Sequence, residues 1–207
     1  MGDGNNTGQH TPVRVHLPQG VTATLIAAGC NHSFALSSDG QLYGWGRNDE
    51  GQLGNGTRTD SNVPVPITIN LLRLVHPRRA AVPKLVAVFA GCSHTLALWN
   101  TGTLLSWGDN SAGQLGDGSI GGLSDVPVSV QYPPGDIIKG ISAGCTHSLA
   151  LTSTGQVLTW GDNSFGQLGN GTADTSGVPA PVTLPGGLTA TAVASGPGAL
   201  HGFAIAH

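Results

Sequence analysis

Residues 90–119 read AGCSHTLALWNTGTLLSWGDNSAGQLGDGS, and the stretch stands twice more in the chain. Residues 28–57 are AGCNHSFALSSDGQLYGWGRNDEGQLGNGT, and residues 143–172 are AGCTHSLALTSTGQVLTWGDNSFGQLGNGT. His32, His94 and His147 hold one position in the three copies, 62 and then 53 residues apart. Self-similarity at such a spacing marks a repeat architecture, in which each unit buries its apolar face against its neighbours. Working outward, Gly2-Asp3-Gly4-Asn5 matches Gly116-Asp117-Gly118-Ser119, so the chain opens partway through a unit. It closes partway through another, with His201-Gly202-Phe203-Ala204-Ile205 placed like His147-Ser148-Leu149-Ala150-Leu151. We read a single repeat domain over residues 1–207: a partial repeat 1–27, repeats at about 28–89, 90–142 and 143–193, and a partial repeat 194–207.

Within the second unit four short strand-like runs lie between turn signals, at 95–99, 103–107, 126–130 and 137–143. Asn100-Thr101-Gly102 joins the first two, and Gly40 and Gly155 stand at the same place in the other copies, supplying the positive φ of a tight hairpin. Four antiparallel strands per unit, repeated radially, make β-propeller blades. The expected fold is therefore all-β, an incomplete propeller of three full repeats and two partial ones. A β-solenoid is the alternative, but its coils are much shorter than these units.

Composition agrees. Gly (33) and Pro (13) are abundant, charged residues make only 9% of the 207, and the chain has one Glu, one Met and two Lys. The strong helix formers are thus scarce, which argues against a helical bundle. A net charge of −3 carries no basic footprint for nucleic acid or an anionic membrane, and no apolar run is long enough to span a bilayer. No signal peptide opens the chain, and the compartment is left open. Three cysteines do not close into pairs, which speaks against a disulfide framework.

The motifs A-G-C-x-H-[ST]-x-A-L, G-x-L/V-x-x-W-G and G-Q-L-G-[ND]-G resemble those of the regulator of chromosome condensation repeat family, and they run through nearly the whole chain. The resemblance implies a propeller, seven-bladed in its members; the chain, with about fifteen strands, falls short of that. We expect a piece of a longer array, or two copies completing a ring, with unpaired sheet edges that favour self-association. The resemblance implies a non-catalytic scaffold that binds an unknown protein. Its alternatives are a guanine-nucleotide exchange factor for a small GTPase, a chromatin-binding role, and a secreted bacterial inhibitor or adhesion module.

Three Cys-x-His units (Cys30/His32, Cys92/His94, Cys145/His147) have zinc-ligand chemistry. Alternation along a strand would place both residues on one face for packing reasons alone, and neighbouring blades stand too far apart to share an ion unless these residues lie at the narrow axis. No metal is expected. Trp45, Trp107 and Trp160 each precede Gly and read as fillers between blades whose indole N–H meets a backbone carbonyl, whereas Trp99 does not recur. Asp109-Asn110-Ser111 and Asp162-Asn163-Ser164 read as Asx turns rather than calcium loops. Residues 116–121 match G-x-G-x-x-G by letter only, without the strand and helix that the dinucleotide fingerprint needs. No cofactor and no catalytic constellation is expected.

The best candidate contact site is the stretch 70–83, where the extra residues between His32 and His94 fall. Arg73, Arg78 and Arg79 are three of the chain's six Arg, and they stand beside His76 and the apolar Leu71, Leu72 and Leu74. Arg with exposed apolar residues is an interface composition, and this loop breaks the repeat symmetry. Its arginines would meet an acidic partner surface.

Overall fold

The computed structural model describes residues 1–69 and 83–207 of the chain. The hairpins form where the glycines require: Gly40, Gly102 and Gly155 have φ of 89°, 83° and 83°. Each donates its N–H to the residue three before it, closing the turn. Around these turns the chain builds three four-stranded antiparallel sheets in simple sequence order. The first holds β1 (Ala23–Ala28), β2 (His32–Ser37), β3 (Leu42–Gly46) and β4 (Ser61–Ile67). The second holds β5 (Leu85–Ala90), β6 (His94–Trp99), β7 (Leu104–Asp109) and β8 (Leu123–Ser129). The third holds β9 (Ile138–Ala143), β10 (His147–Thr152), β11 (Val157–Gly161) and β12 (Ser176–Val182), and a last hairpin pairs β13 (Ala190–Ala194) with β14 (Phe203–Ala206). The architecture is that of an incomplete propeller. Among the described residues the helical content is one 3-10 turn at Pro185–Gly187.

The sheets are out of phase with the sequence repeat by one strand. Each takes its inner strand from the residues just ahead of Ala-Gly-Cys, so the run near 137–143 is the first strand of the third sheet and not the fourth of the second. The inner strands β1, β5, β9 and β13 touch in succession and form the axial wall. The outer strands β4, β8 and β12 carry Pro64, Pro66, Pro127, Pro179 and Pro181, placed where a strand has no partner on its outer side.

Sheet packing explains the apolar runs of the middle strands. Every residue of β6 and of β10 is buried, because each of these strands is covered on both faces by neighbouring sheets. Eleven buried residues, Trp99 and Trp107 among them, fill the first interface, and ten, including Trp160, fill the second. The third interface, toward the two-stranded hairpin, buries three: Leu151, Val157 and Ala190.

Candidate interaction surface

The loop that follows the third strand of each sheet is built by one asparagine. Asn48 Oδ1 accepts from the Leu53 N–H at 2.9 Å while its Nδ2 donates to the Thr57 carbonyl at 2.9 Å. Asn110 and Asn163 repeat this with Leu115 and Leu168 at 3.0 and 2.9 Å. The glutamine side chain folds back as well: Gln114 Nε2 donates to Asp109 and its Oε1 accepts from the Ala112 N–H. The expected Asx turns are present, with Asp109 Oδ1 accepting from Ser111 N–H and Asp162 Oδ1 from Ser164 N–H. With its side chain so occupied, each glutamine turns its backbone carbonyl toward the following sheet.

Two of these carbonyls are received. Gln52 O accepts from Trp107 Nε1 at 2.9 Å and from Thr95 Oγ1 at 3.0 Å. Gln114 O accepts from Trp160 Nε1 and Ser148 Oγ, both at 2.9 Å. The tryptophans thus fill the joints between sheets and meet a carbonyl, as their sequence position suggests. Each hydroxyl also reaches back to the previous sheet: Thr95 Oγ1 is 3.1 Å from His32 Nε2 and Ser148 Oγ is 2.9 Å from His94 Nε2. A hydroxyl has one proton, and it is given to the glutamine carbonyl, so the histidine Nε2–H is the donor. The Nδ1 atoms of His32 and His94 are left buried and without a partner among the described residues. Burial drives the pKa of His32 down to about 4, against a smaller opposing contribution from the His94 backbone, and that of His94 down to about 3, with the neighbouring histidines adding to the effect. Both rings are neutral at pH 7.

The third joint has the same loop and a different residue facing it. Gly202 stands where Thr95 and Ser148 supply a hydroxyl, and both ring nitrogens of His147 are unpartnered among the described residues. His147 is nevertheless pushed down by burial, partly offset by Asp162. Phe165, at the loop tip, is 81% exposed, while Glu50 and Ala112 at the same place are half-buried. Gly51 and Gly113 back onto Asp125 and Gly177 of the next sheet, and Gly166 faces open space. At the other end of the chain, Gly2 packs on Trp45 as Gly54 does on Trp107, and its carbonyl accepts from His16 N–H at 2.9 Å.

The cysteines lie elsewhere than a strand reading places them. They occupy the turns between first and second strands at the axis, so Cys30 is exposed while His32, two residues on, is buried. Backbone bonds link the turns, from Cys30 N–H to Gly91 O at 3.2 Å and from Cys92 N–H to Cys145 O at 3.3 Å. The odd cysteine count does not prevent pairing: Cys92 and Cys145 form a disulfide with Cα atoms 4.6 Å apart, and Cys30 stays a free thiol. Close approach at the axis, which the sequence allowed only as an exception, brings them together. Trp99 is buried against Leu85 in the first interface. The candidate contact residues Leu71, Leu72, Arg73, His76, Arg78 and Arg79 lie outside the described residues. What sequence reading missed is the His147 ring left without a partner among the described residues, although Gly202 in the hydroxyl position signalled it.

Comparison with known proteins follows the same lines. The family model of the Regulator of chromosome condensation (RCC1) repeat matches residues 39–98, 101–151 and 154–202. The chain is 33% identical over 173 residues to the ultraviolet-B receptor UVR8 of Arabidopsis thaliana, covering 83% of this chain and 36% of the receptor. It is 35% identical over 161 residues to the probable E3 ubiquitin-protein ligase HERC6 of Homo sapiens, covering 77% of this chain and 15% of the ligase. Among solved structures, human WBSCR16 matches with a TM-score of 0.70 at 28% identity, over 86% of this chain and 43% of that one. Prp20p of Saccharomyces cerevisiae matches in fold, with a TM-score of 0.72 at 24% identity over 89% of this chain and 43% of that one. The chain therefore spans well under half the length of these relatives. Three repeats in register, matched over most of their length and joined by the same Gln–Trp contacts, make the chain a member of the regulator of chromosome condensation repeat family.

Proposed function

We propose that the chain is a non-catalytic scaffold for protein–protein interaction. The observation that carries this is the loop after the third strand of each sheet, held by its own asparagine, which in the third copy carries Phe165 at its tip where the other two carry Glu50 and Ala112. A rigid base under an exposed aromatic is the arrangement of an interface anchor. The stretch 70–83 is the second candidate, through Arg73, Arg78 and Arg79 toward an acidic partner. Protein partners are in keeping with two solved structures of one relative, yeast Prp20p: one described with its binding properties to Gsp1p and histones, the other bound to Kap60.

Affinity capture with the intact chain, followed by Phe165→Asp and by the Arg78→Ala/Arg79→Ala double variant, tests the reading. Loss of the same captured proteins in either variant, with the thermal midpoint kept, supports it. Undiminished capture by both removes these surfaces as the binding sites.

A further inference from the structure

The axial turns place three sulfurs in a row across three consecutive sheets. Cys92, on the middle sheet, is bonded to Cys145 on one side. On the other side the Cys30 sulfur lies 2.6 Å from Cys92 Sγ. The Pro197 carbonyl oxygen stands 3.1 Å from Cys92 Sγ and covers it from the last segment. The row stops there, because the fourth turn presents Ala199, whose carbonyl accepts from Cys145 N–H at 2.8 Å. The order Cys30, Cys92, Cys145 follows from the order of the sheets, and the backbone bonds between turns keep it. Cys92 is thus the shared neighbour of both other sulfurs.

Disulfides rearrange by attack of a thiolate on one sulfur with departure of the other, and the reaction needs the three sulfurs close together. We propose that Cys30, Cys92 and Cys145 form a thiol–disulfide relay that moves the covalent staple between sheets. The Cys30 thiolate attacks Cys92 Sγ. The Cys30–Cys92 bond forms, the Cys92–Cys145 bond breaks, and Cys145 leaves as a thiolate that takes up a proton. One disulfide and one thiol are present before and after, so no oxidant or reductant is consumed. The two states differ in what is tied and in what is reactive. In one the second and third sheets are joined and the free thiol is the exposed Cys30. In the other the first and second sheets are joined and the free thiol is Cys145, which is half-buried. Cys30 is then the chain's thiol-modification site, open in the first state and closed in the second. This inference stands independently of the scaffold reading.

Peptide mapping of the intact chain tests it, since cleavage after Arg14, Arg47, Lys84 and Lys139 leaves each cysteine on its own peptide. The chain is equilibrated with oxidised and reduced glutathione, quenched in acid, alkylated with N-ethylmaleimide and digested without reduction. The wild type is expected to show both the Cys92–Cys145 and the Cys30–Cys92 linkages, with the alkyl label divided between Cys30 and Cys145. Cys145→Ser is expected to show only Cys30–Cys92, Cys30→Ser only Cys92–Cys145, and Cys92→Ser neither. Unchanged far-UV circular dichroism in the variants keeps the comparison valid. Alkylation of Cys30 alone in the wild type, with no Cys30–Cys92 linkage in Cys145→Ser, overturns the relay, as does full alkylation of all three cysteines.

Discussion

The first two joints and the third are made from one loop sequence and end differently. In the first two, a glutamine carbonyl is held by an indole N–H and a hydroxyl, and the hydroxyl is held by a histidine from the sheet that sends the loop. In the third, Asn163 orders the loop just as Asn48 and Asn110 do, yet Gly202 stands where the other joints have a hydroxyl. The loop's shape is therefore intrinsic to its own residues, and the joint is a property of the neighbour. Buried apolar residues fall in step, from eleven and ten to three. In a repeat protein stability is a sum of unit and nearest-neighbour terms, so each joint contributes according to what its two sides bury and bond.

The largest test of that difference is the indole itself. Trp107 and Trp160 are fully buried, and replacing either with Ala is expected to cost about 3–5 kcal/mol, read from the denaturant midpoint. Phe165→Ala, at the exposed tip of the loop after β11, is expected to stay within about 0.5 kcal/mol. Equal losses would mean that the third joint is closed in solution.

Acid is the next lever. His32 and His94 are held neutral by burial, with pKa values of about 4 and about 3 against an ordinary 6.5. The unfolded chain takes up protons first, so the stability these rings contribute is complete above pH 6.5 and is lost as pH falls through 4 and then 3. The loss across that window is expected to be on the order of a few kcal/mol. Asp49 and Asp162 are also held below the ordinary value of 3.8, Asp49 by Arg47 and Asp162 by its hydrogen bonds to Ser164, Thr146 and Gln167, which outweigh burial. Their contribution is present above pH 3.8 and is lost as pH falls below it. Urea titrations at pH 7, 5.5 and 4.5 on the wild type and His94→Gln check this, the variant being expected to show the flatter dependence. A wild-type midpoint that does not move over that range would contradict the neutral, buried rings.

Three matched glycines separate backbone strain from packing. Gly51, Gly113 and Gly166 have φ of 73°, 76° and 75°, so Ala costs each about 1 kcal/mol or somewhat more through the backbone alone. At Gly51 a Cβ would lie 2.6 Å from Asp125 Cα, and at Gly113 2.8 Å from Gly177 Cα, both backbone atoms that cannot swing aside. There a further 1–3 kcal/mol or so is expected from overpacking, and at Gly166, none. Thermal melts of the three variants read it directly.

Much of this was readable before any coordinates, because it is local. The Gly40, Gly102 and Gly155 hairpins depend on a single φ each, and the tryptophans announce their burial by recurring before Gly. The phase of the sheets was not readable in the same way. Whether the strand at Ile138–Ala143 closes one sheet or opens the next depends on which neighbour pairs with it, and both choices satisfy the local pattern. The cysteines failed for a related reason: i, i+2 spacing implies one face only on a strand, and Cys30 sits in a turn. Their proximity comes from convergence at the axis, a property of how sheets are arranged around it. The Gly202 substitution was visible in the alignment of His201-Gly202-Phe203 with His147-Ser148-Leu149, but its meaning required the hydroxyl's two contacts in the other joints.

Gly202→Ser offers the smallest effect and the sharpest one. The residue does not have a positive φ, so a side chain is acceptable to the backbone. Its Cβ would meet Leu149 Cδ2 at 2.5 Å and Cδ1 at 3.2 Å, the far end of a flexible side chain that can rotate away. By analogy with Ser148, the introduced hydroxyl would accept from His147 Nε2–H and donate to the Gln167 carbonyl. A net hydrogen bond is worth about 1 kcal/mol, and shifting Leu149 takes back part of that, so the thermal midpoint is expected to rise slightly or hold. The decisive readout is the His147 ring: its Nε2–H is expected to become slow to exchange with solvent, as is expected of those of His32 and His94, which already meet a hydroxyl. A ring proton that exchanges as fast in the variant as in the wild type would show that the missing hydroxyl is not what leaves the His147 ring unpartnered.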